Sequence, residues 1–209
     1  MTIPHRALII IDAQQEYFLG RLPIQHPDRE QSIDRIRDAI DAAEDAGIPT
    51  VIVQHERDAD APVFAVGTRT HQNHPSIATY ERSAAKRIVK RFASVFAGTD
   101  LDAWLRAHGV DTIVLAGYMT NNCVLASAAD AEPRGFAVEV LSDATGSIDL
   151  ANEAGVVSAR RLHESLMTLL HSNWAAVTDT VSWSAALRSG ASLQKSNLIA
   201  SAAQGRVSA

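Results

Sequence analysis

The sequence has one cysteine, few aromatic residues and no long apolar run, and each shortage excludes a class of protein. A single cysteine, Cys123, in 209 residues excludes an internal disulfide framework and a zinc site built from several cysteines. Aromatic residues make up 5% of the chain, too few for the stacking platforms that bind single-stranded nucleic acid. No apolar run reaches the roughly 20 residues that a membrane helix needs. A strand-like run begins by Ala7, and we expect no signal peptide before it.

Charge and composition describe an ordinary globular protein. The chain carries 19 basic and 24 acidic residues, a net charge of −5, and its hydrophobic share is 46%. A net negative charge disfavours nucleic acid and anionic membranes as partners. We therefore expect a cytoplasmic protein whose partner is a small-molecule substrate, with no nucleic acid and no membrane involved.

Short apolar runs rich in β-branched residues alternate with amphipathic segments along the chain. Such runs suit strands of a parallel sheet that is covered on both faces. The alternation predicts an α/β fold: a three-layer, Rossmann-like sandwich with a six-stranded, mainly parallel sheet. Residues 1–190 form the predicted domain, and 191–209 a polar tail that is mobile or depends on an oligomer. The predicted strands are 7–11, 50–53, 87–91, 112–116, 137–141 and 175–177; the predicted helices include 33–43, 121–133, 151–171 and 181–188, and 55–81 is a long loop.

Residues with ionisable or nucleophilic side chains lie at or just after the ends of three predicted strands. In open α/β sheets, ligands bind beyond the carboxyl ends of the strands, where the strand order reverses. Asp12 follows the first strand, Lys90 ends the third, and residues 117–123 follow the fourth. Taken singly, each has an ordinary explanation: Asp12 as a turn residue, Lys90 as a strand-end lysine that reaches water, and Cys123 as a small buried hydrophobe.

Their combination predicts a catalytic role for Cys123. A thiol at a helix N-terminus meets unpaired N–H groups and the positive end of the helix dipole, which predicts a lowered pKa for Cys123. Those N–H groups also suit an oxyanion. A nearby lysine would favour the thiolate further, and a nearby carboxylate would accept the thiol proton.

Three segments, in order, resemble those of the isochorismatase-like cysteine hydrolase superfamily, which includes nicotinamidases and other amidohydrolases. Residues 11–18 read IDAQQEYF, residues 90–96 fit K-x-x-x-S-x-F, and residues 117–124 fit G-x-x-T-x-x-C-V. Each segment is weakly specific alone, but all three occur at the expected strand ends. The resemblance covers residues 6–188.

The resemblance implies a catalytic triad. It makes Asp12 the general base and later acid, Lys90 the electrostatic partner and Cys123 the nucleophile. It also implies an oxyanion hole from the backbone N–H groups of Met119 and Cys123, with a cis peptide bond at Tyr118–Met119.

Residues near these segments are candidates for substrate binding. Relatives place a pocket aromatic at the position of Tyr17, and Phe64 is placed to fold over the site from the long loop. Each candidate has packing in the core or pocket wall as its alternative role. The substrate-binding candidates are Tyr17, Phe96, Tyr118 and Asn122, and the supporting residues are Gln14 and Thr120.

The sequence departs from metal-binding relatives. Nicotinamidases of this superfamily bind a metal through an Asp-x-His segment near the second strand, whereas residues 54–60 here read QHERDAD. His55, His71 and His74 remain as an alternative ligand set, but free loop histidines are the commoner case. We expect no metal and no other cofactor. The resemblance also implies a homodimer or homotetramer.

The leading hypothesis is a metal-independent cysteine amidohydrolase. It would cleave a C–N bond of a small amide, ureido or lactam compound through a thioester intermediate. One alternative is isochorismatase-type vinyl ether hydrolysis, which the presence of Cys123 disfavours. Another is a non-catalytic ligand-binding module on the same fold, which predicts that Cys123 is inert to iodoacetamide near neutral pH.

Overall fold

The computed structural model describes residues 3–208, and its centre is a six-stranded sheet. The strands lie in the order β3-β2-β1-β4-β5-β8, and every neighbouring pair is parallel. The predicted six-stranded α/β sheet is confirmed. The strands are β1 (Arg6–Ile11), β2 (Thr50–His55), β3 (Lys86–Lys90), β4 (Thr112–Tyr118), β5 (Ala137–Gly146), β6 (Leu150–Asn152), β7 (Gly155–Val157) and β8 (Ala176–Thr178).

Helices cover both faces of the sheet and create two apolar cores. Side chains along β1 alternate between the cores: Ile9 and Ile11 enter one, and Leu8 and Ile10 the other. All four are completely buried, as expected for a strand in the middle layer of three. The first core is lined by α3 (Leu101–Ala107), α4 (Leu125–Ala131) and α5 (Ala159–Asn173), and the second by α1 (Arg29–Asp45), α2 (Pro75–Ala78) and α6 (Thr180–Ser189).

The strand order reverses between β1 and β4, and Gly117 lets these strands meet closely. Gly117 pairs with Ile11 and has a φ of +101°. A Cβ atom there would lie 2.0 Å from the Ile11 carbonyl oxygen. Glycine alone fits both the conformation and the space. The chain therefore leaves both strands side by side at the carboxyl edge of the sheet.

The predicted helix over 151–171 was wrong in its first third. Residues 150–157 form an antiparallel hairpin of β6 and β7, and α5 begins only at Ala159. Gly155 has a φ of +145°, which a helix does not contain. Ser158 then caps α5 by accepting a hydrogen bond from the Arg161 N–H.

The C-terminal segment contains secondary structure that the sequence analysis did not predict. It contains a helix, α7 (Leu198–Ser208). The Arg6 guanidinium also donates a 2.7 Å hydrogen bond to the Ala191 carbonyl, which fastens the start of the segment to the sheet. Across residues 3–208, none of the helices has the length and hydropathy to cross a bilayer. The predicted dimer or tetramer and the cytoplasmic location stay predictions.

Candidate active site

The structure brings Asp12, Lys90 and Cys123 together at the carboxyl edge of the sheet. Lys90 Nζ lies 2.6 Å from Asp12 Oδ2 and 3.3 Å from Cys123 Sγ. The exposed fractions of the three residues are 0%, 1% and 3%. Three distant segments of the chain thus place a carboxylate, an ammonium and a sulfur in one buried cluster.

A sharp turn after β1 directs Asp12. Its N–H still donates to the Val53 carbonyl, but its φ is +50° and its own carbonyl accepts from the Gln14 N–H at 2.7 Å. Aspartate is among the few residues that tolerate this left-handed conformation. The chain leaves the sheet at this residue.

Lys90 is the last residue of the edge strand β3 and is surrounded by acceptors. Besides Asp12 and Cys123, its ammonium lies 3.1 Å from the Phe92 carbonyl and 3.2 Å from His55 Nδ1. An ammonium has three hydrogens, so four acceptors compete for them. The excess of acceptors over hydrogens stabilises the protonated form of the buried Lys90.

Cys123 lies in a π-helical turn, Thr120–Val124, that leads into α4. The peptide bond Tyr118–Met119 before this turn is cis, as the resemblance implied. Ser127, one turn later, donates a 2.6 Å hydrogen bond to the Cys123 carbonyl and accepts one from the Val95 N–H. These bonds tie the cysteine turn to the segment that follows Lys90.

The expected low pKa of the Cys123 thiol was wrong. Burial and then the Asp12 carboxylate raise the pKa of Cys123 to about 12, although Lys90 acts in the opposite direction. The sequence pattern predicts the helix end and the nearby lysine, but it does not predict that the sulfur is buried beside the Asp12 carboxylate. The resting cysteine is therefore a thiol.

Asp12 and Lys90 form an ion pair in that resting state. Burial raises the pKa of Asp12 above its usual value, against the opposing influence of Lys90. Burial alone would lower the pKa of Lys90, but Asp12 and Cys123 outweigh it and raise that pKa. Among residues 3–208, no backbone N–H donates to the Asp12 carboxylate. A carboxylate with few donors remains basic, which suits it to accept the thiol proton.

The predicted substrate-binding residues have different surroundings. The Tyr17 ring packs between Tyr118 and Phe64, with centroids 5.3 and 5.4 Å away. Burial, followed by the negative charge of Asp12, raises the pKa of Tyr17. The Phe64 ring also packs against the His55 ring, with centroids 5.0 Å apart, and its place over the substrate stays a prediction.

The other three predicted substrate-binding residues have contacts or exposure that do not indicate substrate binding. The Tyr118 hydroxyl pairs with Ser32 at 2.6 Å, on the side of α1. Phe96 stacks on Phe136 in the core, which favours a packing role. Asn122 is exposed. Substrate contact by these residues stays a prediction.

Both supporting residues are held in buried hydrogen-bond networks. Gln14 Nε2 donates to the carbonyls of His55 and His71, at 2.9 and 2.6 Å. Thr120 Oγ1 lies 3.1 Å from Thr145 Oγ1 and 3.0 Å from His163 Nδ1. Sequence analysis missed Thr145 and His163, because nothing local to either one indicates a contact with the cysteine turn.

His55, His71 and His74 do not converge on a metal site in the part of the chain that the structure describes. His55 Nδ1 faces the Lys90 ammonium, and His74 Nδ1 accepts a hydrogen bond from the Ser76 N–H. Over the part of the chain that the structure describes, no group of three or more His, Cys, Asp and Glu side chains is placed to hold a metal ion. A cation beside His55 also opposes binding of a second cation there.

Comparisons with known proteins give the family. Residues 6–181 match the isochorismatase domain model. A secreted isochorismatase effector of Verticillium dahliae is 36% identical over 68% of this chain and 73% of its own, and a maleamate amidohydrolase of Pseudomonas putida is 31% identical over 67% and 71%. A crystal structure assigned to an isochorismatase of Burkholderia xenovorans LB400 superimposes with a TM-score of 0.95 and 43% identity, over 98% of both chains. The chain therefore belongs to the isochorismatase family of hydrolases.

Proposed function

We propose that this protein is a metal-independent cysteine amidohydrolase that cleaves a C–N bond of a small amide, ureido or lactam compound. The observation that carries the proposal is the position of Lys90 Nζ, 2.6 Å from Asp12 Oδ2 and 3.3 Å from Cys123 Sγ. A thiol beside a base and a fixed cation is an activated nucleophile. The maleamate amidohydrolase among the relatives acts on a compound of this class.

The first half-reaction transfers the acyl group to sulfur. The Asp12 carboxylate takes the Cys123 proton, and the Lys90 ammonium stabilises the thiolate as it forms. The sulfur attacks the amide carbonyl, and the backbone N–H groups of Met119 and Cys123 receive the oxyanion. The tetrahedral intermediate then breaks its C–N bond, and ammonia or an amine departs with the proton from Asp12.

The second half-reaction regenerates the enzyme. Asp12 takes a proton from a water molecule, and the resulting hydroxide attacks the thioester carbonyl. The C–S bond breaks, the acid product leaves, and the proton returns from Asp12 to the Cys123 sulfur. One water is consumed for each C–N bond cleaved. Tyr17 and Phe64 form the aromatic side of the substrate site in this proposal.

An ammonia-release screen with the wild type and Cys123→Ala tests the proposal. The panel contains nicotinamide, maleamate, N-carbamoyl amino acids, ureidoacrylate, biuret and lactams, with product analysis for the lactams. We expect turnover of at least one compound, a loss of about 10⁴-fold or more in Cys123→Ala, and an acyl adduct on the wild-type protein by intact mass. Full turnover by Cys123→Ala would exclude cysteine catalysis.

The name of the Verticillium relative supports vinyl ether hydrolysis as a second candidate. This reaction releases pyruvate from isochorismate and does not need a sulfur nucleophile. Pyruvate release that persists in Cys123→Ala would favour it over amide hydrolysis. The position of Cys123 beside a base and a cation favours the amidohydrolase.

A further inference from the structure

His55 lies against the catalytic cluster although the family motifs do not include it. It is the last residue of β2 and pairs in register with Lys90 on β3. Side chains at the same register of neighbouring strands project to the same side of a sheet. His55 Nδ1 accordingly lies 3.2 Å from Lys90 Nζ, and the ring shares the ammonium with Cys123 Sγ.

The lysine determines which ring nitrogen of His55 carries the hydrogen. An ammonium only donates, so His55 Nδ1 faces it as an acceptor. Burial, followed by Lys90 and Arg57, lowers the pKa of His55 to about 4, and the ring is neutral near pH 7. A neutral ring with an accepting Nδ1 has its hydrogen on Nε2. This Nε2–H makes no hydrogen bond to any residue from 3 to 208.

The ring is fixed before any ligand arrives. Gln14 holds the main chain of His55 on both sides, because its Oε1 accepts from the His55 N–H at 2.8 Å and its Nε2 donates to the His55 carbonyl. The ring also meets Phe64 edge-on, with centroids 5.0 Å apart. A donor held by the scaffold in this way loses little entropy when it binds a ligand.

The electrostatic surroundings of His55 favour an anionic acceptor. After burial, the positive charges of Lys90 and Arg57 lower the pKa of His55, so both cations act on the ring. Two of the three acidic residues at 56–60, Glu56 and Asp58, share the guanidinium of Arg91, 3.3 and 2.9 Å away, which offsets part of their negative charge. Arg57 has no carboxylate partner in the described part of the chain.

We propose that the His55 Nε2–H binds a carboxylate carried by the same molecule as the scissile C–N bond. The substrates are then small amido or ureido acids, and the positive charge of the exposed Arg57, two residues after His55, adds attraction for them. This inference rests on the proposed amidohydrolase function and narrows its substrate class.

Binding to the Cys123→Ala variant tests this role without turnover. The probes are maleamate, succinamate and N-carbamoylglycine, and the matched controls are maleamide and succinamide, in which a neutral amide replaces the carboxylate. In this background, His55→Phe keeps the ring bulk and removes the donor, whereas His55→Gln keeps an N–H near the Nε2 position. In these variants, Lys90 keeps its contacts with the Asp12 carboxylate and the Phe92 carbonyl.

We expect His55→Phe to weaken binding of the acids by about tenfold or more in calorimetric titrations, and to leave binding of the neutral diamides within about twofold. His55→Gln should recover part of the loss. Arg57→Gln, an exposed change that keeps the fold, should weaken binding of the acids by a smaller factor and leave the diamides unaffected.

Three results would overturn the proposal. Equal losses for acids and diamides would mean that His55 binds a carbonyl oxygen, unchanged binding of the acids would remove His55 from the site, and binding of none of the three acids would exclude the carboxylate subsite. Failure of the proposed function is a separate observation: a wild-type protein that binds the acids through His55 and turns over no amide.

Discussion

Oδ2 of Asp12 lies 2.6 Å from Nζ of Lys90, and both side chains are completely withdrawn from solvent. An ion pair this deep is stable only if the surroundings complete its hydrogen bonds, because the desolvation of two charges is expensive. The lysine has a surplus of acceptors, whereas the aspartate is short of donors. This asymmetry makes Asp12 the proton acceptor of the cluster and leaves Lys90 as a fixed positive charge.

The Asp12→Asn variant should separate catalysis from thiol ionisation. Turnover should fall by about 10²–10⁴-fold, because no base remains to take the thiol proton. The reaction of Cys123 with iodoacetamide near pH 7 should become faster, because the carboxylate that raises the thiol pKa is gone while Lys90 remains. Alkylation followed by mass spectrometry over a pH series measures both rates.

Asp38→Asn is a suitable control for this experiment, since Asp38 is exposed on α1 and pairs with Arg35 on the same helix. Slower alkylation in Asp12→Asn would contradict the assignment of the raised thiol pKa. Slow reaction of Cys123 with iodoacetamide therefore does not distinguish a non-catalytic module from an enzyme, because a catalytic thiol in this cluster is also protonated at rest.

Loss of Lys90 should destabilise the fold more than loss of both charges. Lys90→Met leaves a buried carboxylate without its counterion, and we expect it to lower the free energy of unfolding by about 3–5 kcal/mol. The double variant Asp12→Asn/Lys90→Met should regain part of that loss, because asparagine tolerates the left-handed turn and carries no charge. Urea unfolding of the two variants tests this, and equal instability would mean that the unpaired Asp12 carboxylate is not the cause of the loss.

The sequence was sufficient for the sheet and for the meeting of the three segments. Fully apolar runs such as 7–11 are read without tertiary information, and parallel strands deliver their ends to one edge of a sheet. The hairpin at 150–157 was misread because its apolar residues continue the helical spacing of α5, while Gly155 and the cap at Ser158 are the local signals that separate the two.

Properties that depend on the exclusion of solvent could not be predicted from the sequence. The ionisation state of Cys123 depends on the depth of the sulfur and on a carboxylate 111 positions away in the chain. His55 was interpreted only as a candidate metal ligand, because its register with Lys90 appears only once β2 and β3 are paired. Phe96 and Phe136 are likewise distant in sequence, and their stacking was not visible from the motif.

Gly117→Ala should prevent the site from assembling. The added Cβ would lie 2.0 Å from the Ile11 carbonyl oxygen, and that backbone has no room to move between two strands. We expect insoluble or unfolded protein. Gly109→Ala is the matched control, because Gly109 also has a positive φ, +66°, but has nothing within 4 Å of the added atom. The control should lose only about 1–2 kcal/mol. Circular dichroism and thermal unfolding distinguish the two, and a well-folded, active Gly117→Ala would contradict the close approach of β1 and β4.

Mild acid should destabilise the protein through His163. Burial, together with the neighbouring His26, lowers the pKa of His163 from 6.5 to about 4. Between these values the unfolded chain binds more protons than the native one, so the stability that His163 contributes is complete above pH 6.5 and falls as the pH falls towards 4. Since the His163 residue is only 5% exposed, its share should approach ~1 kcal/mol per pH unit within that window. Urea unfolding at pH 7, 6 and 5 gives the free energy of unfolding as a function of pH. This free energy should fall less steeply towards pH 5 for His163→Asn than for the wild type or for the exposed control His108→Asn. Asparagine keeps a polar group near Thr120. If His163→Asn reproduces the wild-type slope, the buried imidazole does not cause the acid sensitivity.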